Sequence, residues 1–105
     1  MPQKRRVKVQ VICGVGMGSS LMAKMTIDAV AKELGVDISS EVGQPSTAGL
    51  GKIDIIATTP FLADKLGNVG DAKIVVFTNF VSKKHIRERF EPALREVLEE
   101  IEQGM

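Results

Sequence analysis

Val7–Ser20 reads VKVQVICGVGMGSS, and this stretch decides the fold. Val7, Val9 and Val11 alternate with Lys8 and Gln10, and Ile12 completes a first strand. Cys13 then opens a loop of alternating glycines, Gly14, Gly16 and Gly18, with Val15 and Met17 between them. Ser19 and Ser20 follow, where a helix-forming run begins. Strand, glycine turn and helix N-terminus together make an anion cradle, because backbone N–H groups turn inward with no side chain in the way. The serine hydroxyls cap the helix or donate to an oxyanion. The same donors stabilise a thiolate, which makes Cys13 the candidate nucleophile and Gly14 to Ser20 the candidate phosphate cradle. The plainer reading of Cys13 is a small buried side chain beside a tight turn.

Outward from this stretch, strands and helices alternate. The first helix is expected from about Ser19 to Leu34, with Ala23, Ile27, Val30 and Leu34 as its apolar stripe and Gly35 as its stop. Lys24, Asp28 and Lys32 form a charge ladder on another face. Val36–Val42 reads as strand two, Gly43–Lys52 as a loop, and Ile53–Thr58 as a buried third strand. A short helix is expected from Phe61 to about Leu66, and a fourth strand at Ala72–Phe77. Pro92 after Glu91 looks like a helix start, so the preferred reading of the C-terminal segment is a loop or short turn, then a helix from near Glu91 to about Glu102. Ile86, Phe90, Leu94, Val97 and Ile101 nevertheless share one stripe, which leaves one longer, kinked helix from near Ser82 as the alternative.

This alternation predicts an α/β fold: a four-stranded parallel sheet of order 2-1-3-4 flanked by helices, a flavodoxin-like or Rossmann-like three-layer sandwich. In that order strand one ends at the switch point, where open sheets bind ligands, and Cys13 stands there. The 105 residues are read as one domain, with no linker and no internal repeat. A net charge of +1 and the absence of Trp and Tyr argue against a nucleic-acid surface. The single cysteine excludes an internal disulfide, and no cluster suggests a metal or other cofactor. Lys4, Arg5 and Arg6 are taken as a solvated lead-in, because the apolar run after them is too short and interrupted for a signal peptide. No run reaches transmembrane length, so a cytoplasmic protein without direct membrane insertion is expected.

Several named motifs fail. A dinucleotide fingerprint requires a glycine where Ser19 stands, and a nucleotide P-loop requires a lysine after Gly18. The layout is shared with low-molecular-weight tyrosine phosphatases, but Ser19 occupies the position of their arginine, so charge stabilisation for hydrolysis is poor. A loop that accepts phosphate on sulfur without hydrolytic equipment suits a phosphoryl carrier. His85 lies among Lys83, Lys84, Arg87 and Arg89 and reads as a surface histidine. Asp54 and Asp64 are weak candidates for a general acid. Thr58 and Thr59 line the cleft or simply cap the next helix. The five methionines read mostly as core fillers, with Met17 exposed at the loop tip.

ICGVGMGSS after a first strand resembles the enzyme IIB components of the bacterial phosphoenolpyruvate-dependent sugar phosphotransferase system, in the galactitol/ascorbate group of the lactose-type superfamily. The stretches Thr58–Phe61 (TTPF) and Asn79–Ser82 (NFVS) resemble that group as well. The resemblance implies that Cys13 takes a phosphoryl group from a phosphohistidine on enzyme IIA. It implies transfer onward to a sugar or polyol held by the membrane permease, enzyme IIC, with Gly14 through Ser20 binding the phosphate. It leaves galactitol-like and ascorbate-like substrates both open. A regulatory module of the same fold and a phosphatase are the competing functions.

Overall fold

The computed structural model describes residues 5–12, 16–67, 69–70, 72–79 and 82–103, with backbone alone for 16–20 and 45. The elements in chain order are β1 (Val7–Ile12), α1 (Gly16–Glu33), β2 (Ile38–Val42), a 3-10 turn (Pro45–Thr47), β3 (Ile55–Thr58), α2 (Pro60–Ala63), β4 (Lys73–Val76) and α3 (Lys83–Gln103). The strands form one sheet in the order β2-β1-β3-β4, and every pairing is parallel. Val9 lies beside Ser40 and Ile55, and Ile12 beside Thr58. The expected order and strand direction are therefore observed.

The period-2 alternation of β1 sends Val7, Val9 and Val11 to the face that carries both long helices. There they meet Ala23, Ile27, Val30 and Ala31 of α1 and Ile86, Phe90, Leu94 and Val97 of α3. Phe77, just past β4, packs edge-on to Phe90 with centroids 6.3 Å apart. The opposite face has a smaller cluster of Ile12, Ile56, Ala48, Leu62 and Leu66, covered by the 3-10 turn and α2.

Several boundaries move. Helix α1 starts at Gly16 rather than Ser19, so the last two loop glycines are its first turn. It ends as expected at Gly35, whose φ of 75° closes a Schellman motif: Val36 N–H donates to Ala31 O and Gly35 N–H to Lys32 O. That closure uses Val36, so β2 starts later, at Ile38. Strand β3 begins at Ile55, although the Asp54 backbone already bonds both neighbours: its N–H donates to Lys8 O and its carbonyl accepts from Lys73 N–H, each at 2.9 Å. Helix α2 is one turn only, from Pro60, and β4 is trimmed to Lys73–Val76.

The largest correction concerns the C-terminal segment. No loop precedes a helix at Glu91; α3 runs unbroken for 21 residues with Pro92 in its interior. The missing N–H and the crowding at Glu88 O are outweighed by burial of Ile86 and Phe90 before the proline and Leu94 and Val97 after it. Lys73 further ties the helix to β4 through Glu96 and Glu100, at 3.5 and 2.9 Å.

Gln10 also departs from the alternating pattern. It is buried, and its amide is a clamp rather than a solvated group. Nε2 donates to Thr47 O at 3.1 Å, and Oε1 accepts from Gly49 N–H at 2.9 Å. The polar side chain thereby anchors the β2–β3 connection to the central strand. Gly43 leaves room for it: a Cβ at that position would come within 2.5 Å of Gln10 Nε2.

Candidate functional site

Parallel strands bring the ends of all four strands to one edge, and β1 ends there between β2 and β3. Cys13, Gly14 and Val15 lie outside the described residues. They are flanked by Ile12, fully buried at the end of β1, and by Gly16, the first residue of α1. Gly16, Met17 and Gly18, the first three residues of α1, therefore supply amides that a helix leaves without an internal carbonyl. Ser19 and Ser20 follow; the side chains of 16–20 are not described. The helix dipole places partial positive charge at this end, and the first turn carries no acidic residue to oppose an anion.

The end of β1 is held from both sides. Gly43 N–H donates to Val11 O at 2.9 Å. On the other side Thr58 Oγ1 donates to Ile12 O at 2.8 Å. Thr58 is fully buried, so it does not line a cleft as one reading expected; its hydroxyl is turned into the sheet. Thr59 is the helix cap of the other reading: its side chain accepts from Leu62 N–H, with Pro60 in the first turn of α2.

The remaining candidates separate by geometry. His85 is half-buried rather than a plain surface histidine, and stands edge-on to Phe77. Its Nε2 accepts from Thr78 N–H at 3.1 Å. That lone pair is engaged, so Nε2 is not open to take a phosphoryl group. Asp54 lies before β3, at the opposite edge of the sheet from the start of α1. Arg5 grips it with two bonds of 2.7 and 3.0 Å, and Lys8 N–H adds a third at 2.9 Å. Burial pushes the Asp54 carboxyl up, but the bonds from Arg5 and Lys8 and their positive charges outweigh it and hold it below the usual aspartate range. An aspartate so held is a poor acid, and Arg5 is a strut rather than part of a solvated lead-in. Asp64 is exposed at the C-cap of α2.

Sequence reasoning missed the apolar surface beside this edge. Leu21, Met22 and Met25 on the first half of α1 are exposed, as are Val42 at the end of β2 and Phe61 in α2. Met22 and Met25 are therefore not core fillers. Spacing alone held the signal: Leu21 and Met25 are four apart and off the Ala23–Ile27–Val30 stripe. Two shallow grooves, one beside Lys8, Glu41 and Lys52 and one between α1 and β2, do not include Ile12 or Thr58 in their linings.

Residues 8–92 match the family described as "PTS system, Lactose/Cellobiose specific IIB subunit". The chain belongs to this family. It is similar to the "Ascorbate-specific PTS system EIIB component" of Mycoplasma pneumoniae, 27% identical over 94 residues that cover 88% of this chain and 99% of the relative. It is 30% identical to the component of the same name from Salmonella typhimurium, over 97 residues covering 90% of this chain and 91% of the relative. The lactose-specific IIB domain of Streptococcus pneumoniae shares the fold, with a TM-score of 0.53, 23% identity, and coverage of 90% of this chain and 97% of that one. IIB components are phosphotransferases that carry a phosphoryl group, and in general they work with IIA and IIC partners. Among the described residues, no helix is long and apolar enough to cross a membrane.

Proposed function

We propose that this chain, acting as a single IIB domain at the cytoplasmic side of the membrane, carries phosphate on Cys13 between enzyme IIA and a substrate held in enzyme IIC. One observation carries the reading: α1 begins at Gly16, four residues past the end of β1, with a glycine-serine first turn whose amides face the same edge. In the first step the Cys13 thiolate attacks phosphorus, the P–N bond to the donor histidine breaks, and the imidazole leaves with that electron pair. Amides from Gly14 to Gly18 hold the equatorial oxygens meanwhile, with the Ser19 and Ser20 hydroxyls as further donors. In the second step a substrate hydroxyl attacks, the S–P bond breaks, the thiolate is restored, and the hydroxyl proton passes to a base on the permease. Ascorbate, named in the curated relatives, is the first substrate to try. Ser19, where phosphatases of this layout have arginine, supports a carrier over a hydrolase.

The test uses phosphoenolpyruvate, the general phosphotransferase proteins and the cognate enzyme IIA. Label is expected on the wild-type chain, absent in Cys13→Ser, and chased onto ascorbate when membranes bearing the permease are added. No label with an active enzyme IIA refutes the transfer role. Label that no substrate removes points instead to the regulatory module, and rapid hydrolysis of an aryl phosphate points to the phosphatase.

A further inference from the structure

We propose that Thr58 is a positioning residue for the chemistry of Cys13, acting through the hydrogen bond from its Oγ1 to the carbonyl of Ile12. The inference rests on the transfer role given above to Cys13. Strand β3 reads Ile55-Ile56-Ala57-Thr58, all buried, and only its last residue carries a hydroxyl. A valine has nearly the same shape and no polar atom to desolvate, so a buried hydroxyl here has a cost that its bond must offset. That bond, 2.8 Å long, joins residues 46 apart in sequence.

Its acceptor is the important atom. The Ile12 carbonyl belongs to the peptide unit whose N–H is that of Cys13. The unit is planar, so holding its oxygen fixes the plane from which Cys13 departs. A donor on the oxygen also polarises the unit and strengthens its N–H as a donor to nearby negative charge. Thr58 is itself well held: its carbonyl accepts from Phe77 N–H at 2.8 Å. With Gly43 N–H on Val11 O, the last two carbonyls of β1 are each bonded from a different neighbour. Thr58 therefore sets the direction in which the nucleophile leaves the sheet and favours its ionised form.

Thr58→Val removes the hydroxyl at nearly constant shape, and Thr58→Ser keeps it. Two readouts are taken on the full chain: the rate of phosphoryl transfer from enzyme IIA, and the pH profile of Cys13 alkylation by iodoacetamide. Urea unfolding confirms that each variant is folded. Thr58→Val is expected to slow transfer roughly tenfold and to move the alkylation profile to higher pH. Thr58→Ser is expected to stay within about twofold of wild type in both. If Thr58→Val does not fold, Thr58→Ala removes the same hydroxyl without adding a methyl group and is read instead. Unchanged profiles in a folded hydroxyl-free variant overturn the proposal. So does a Thr58→Ser that behaves like Thr58→Val, which would trace the effect to packing. A shifted alkylation profile in a chain that enzyme IIA never labels would uphold the role of Thr58 while sinking the transfer role itself.

Discussion

Replacing Pro92 by alanine should make this protein more stable. Pro92 is the tenth residue of the 21-residue α3, and it is exposed. It lacks the N–H that would bond Glu88 O, and its ring crowds that carbonyl. In an isolated helix interior the difference between proline and alanine is about 3 kcal/mol. Part of that is not recovered here, because Ile86 and Phe90 on one side and Leu94 and Val97 on the other fix the path of the helix against the sheet. A gain of about 2 kcal/mol is expected, which corresponds to a rise in Tm of roughly 10 °C for a domain of this size. Urea unfolding followed by far-ultraviolet circular dichroism measures it. The midpoint should rise with the slope unchanged, since the surface exposed on unfolding is the same. A midpoint equal to or below that of the wild type would mean that the proline is accommodated at no cost. The balance drawn between helix geometry and core burial would then be wrong.

Gln10→Leu should lower stability by about 2 kcal/mol, by stranding Thr47 O and Gly49 N–H, and urea unfolding would show no loss if the amide were dispensable. The Arg5–Asp54 contact predicts a dependence on acid. Asp54 titrates below an ordinary aspartate when folded, so its contribution is complete above about pH 4 and is lost as pH falls through its lowered value. With Arg5 half exposed, that contribution is about 1 kcal/mol, and Asp54→Asn should narrow the gap in urea midpoint between pH 5 and pH 2. An equal acid dependence in the variant would show that Asp54 contributes nothing.

The strand order and the direction of the sheet were legible because β-branched runs alternated with helical stripes, and right-handed crossovers leave few topologies. The Ala23–Ile27–Val30 and Ile86–Phe90–Leu94–Val97 stripes both reach the core as their spacing requires. The errors arose where a local preference met a long-range demand. Pro92 carries a strong local signal for a helix start, and only the partner sheet reveals why the helix ignores it. Gln10 looked like the polar half of an alternation, because its two partners come from a loop nearly forty residues away. The pattern puts Thr58 at the right edge but not its role, since a hydroxyl's direction depends on the neighbouring strand. Cys13, Gly14 and Val15 were legible as a motif, and the structure describes only what flanks them.

The brevity of the join between β1 and α1 has a consequence for traffic. Ile12 and Gly16 are four residues apart, and Cys13 is the very next residue after a fully buried strand end. Under the transfer role proposed above for Cys13, a join of this length gives no long carrying arm. That role then requires whatever loads the carrier and whatever unloads it to visit the same doorway in turn, each leaving before the other arrives.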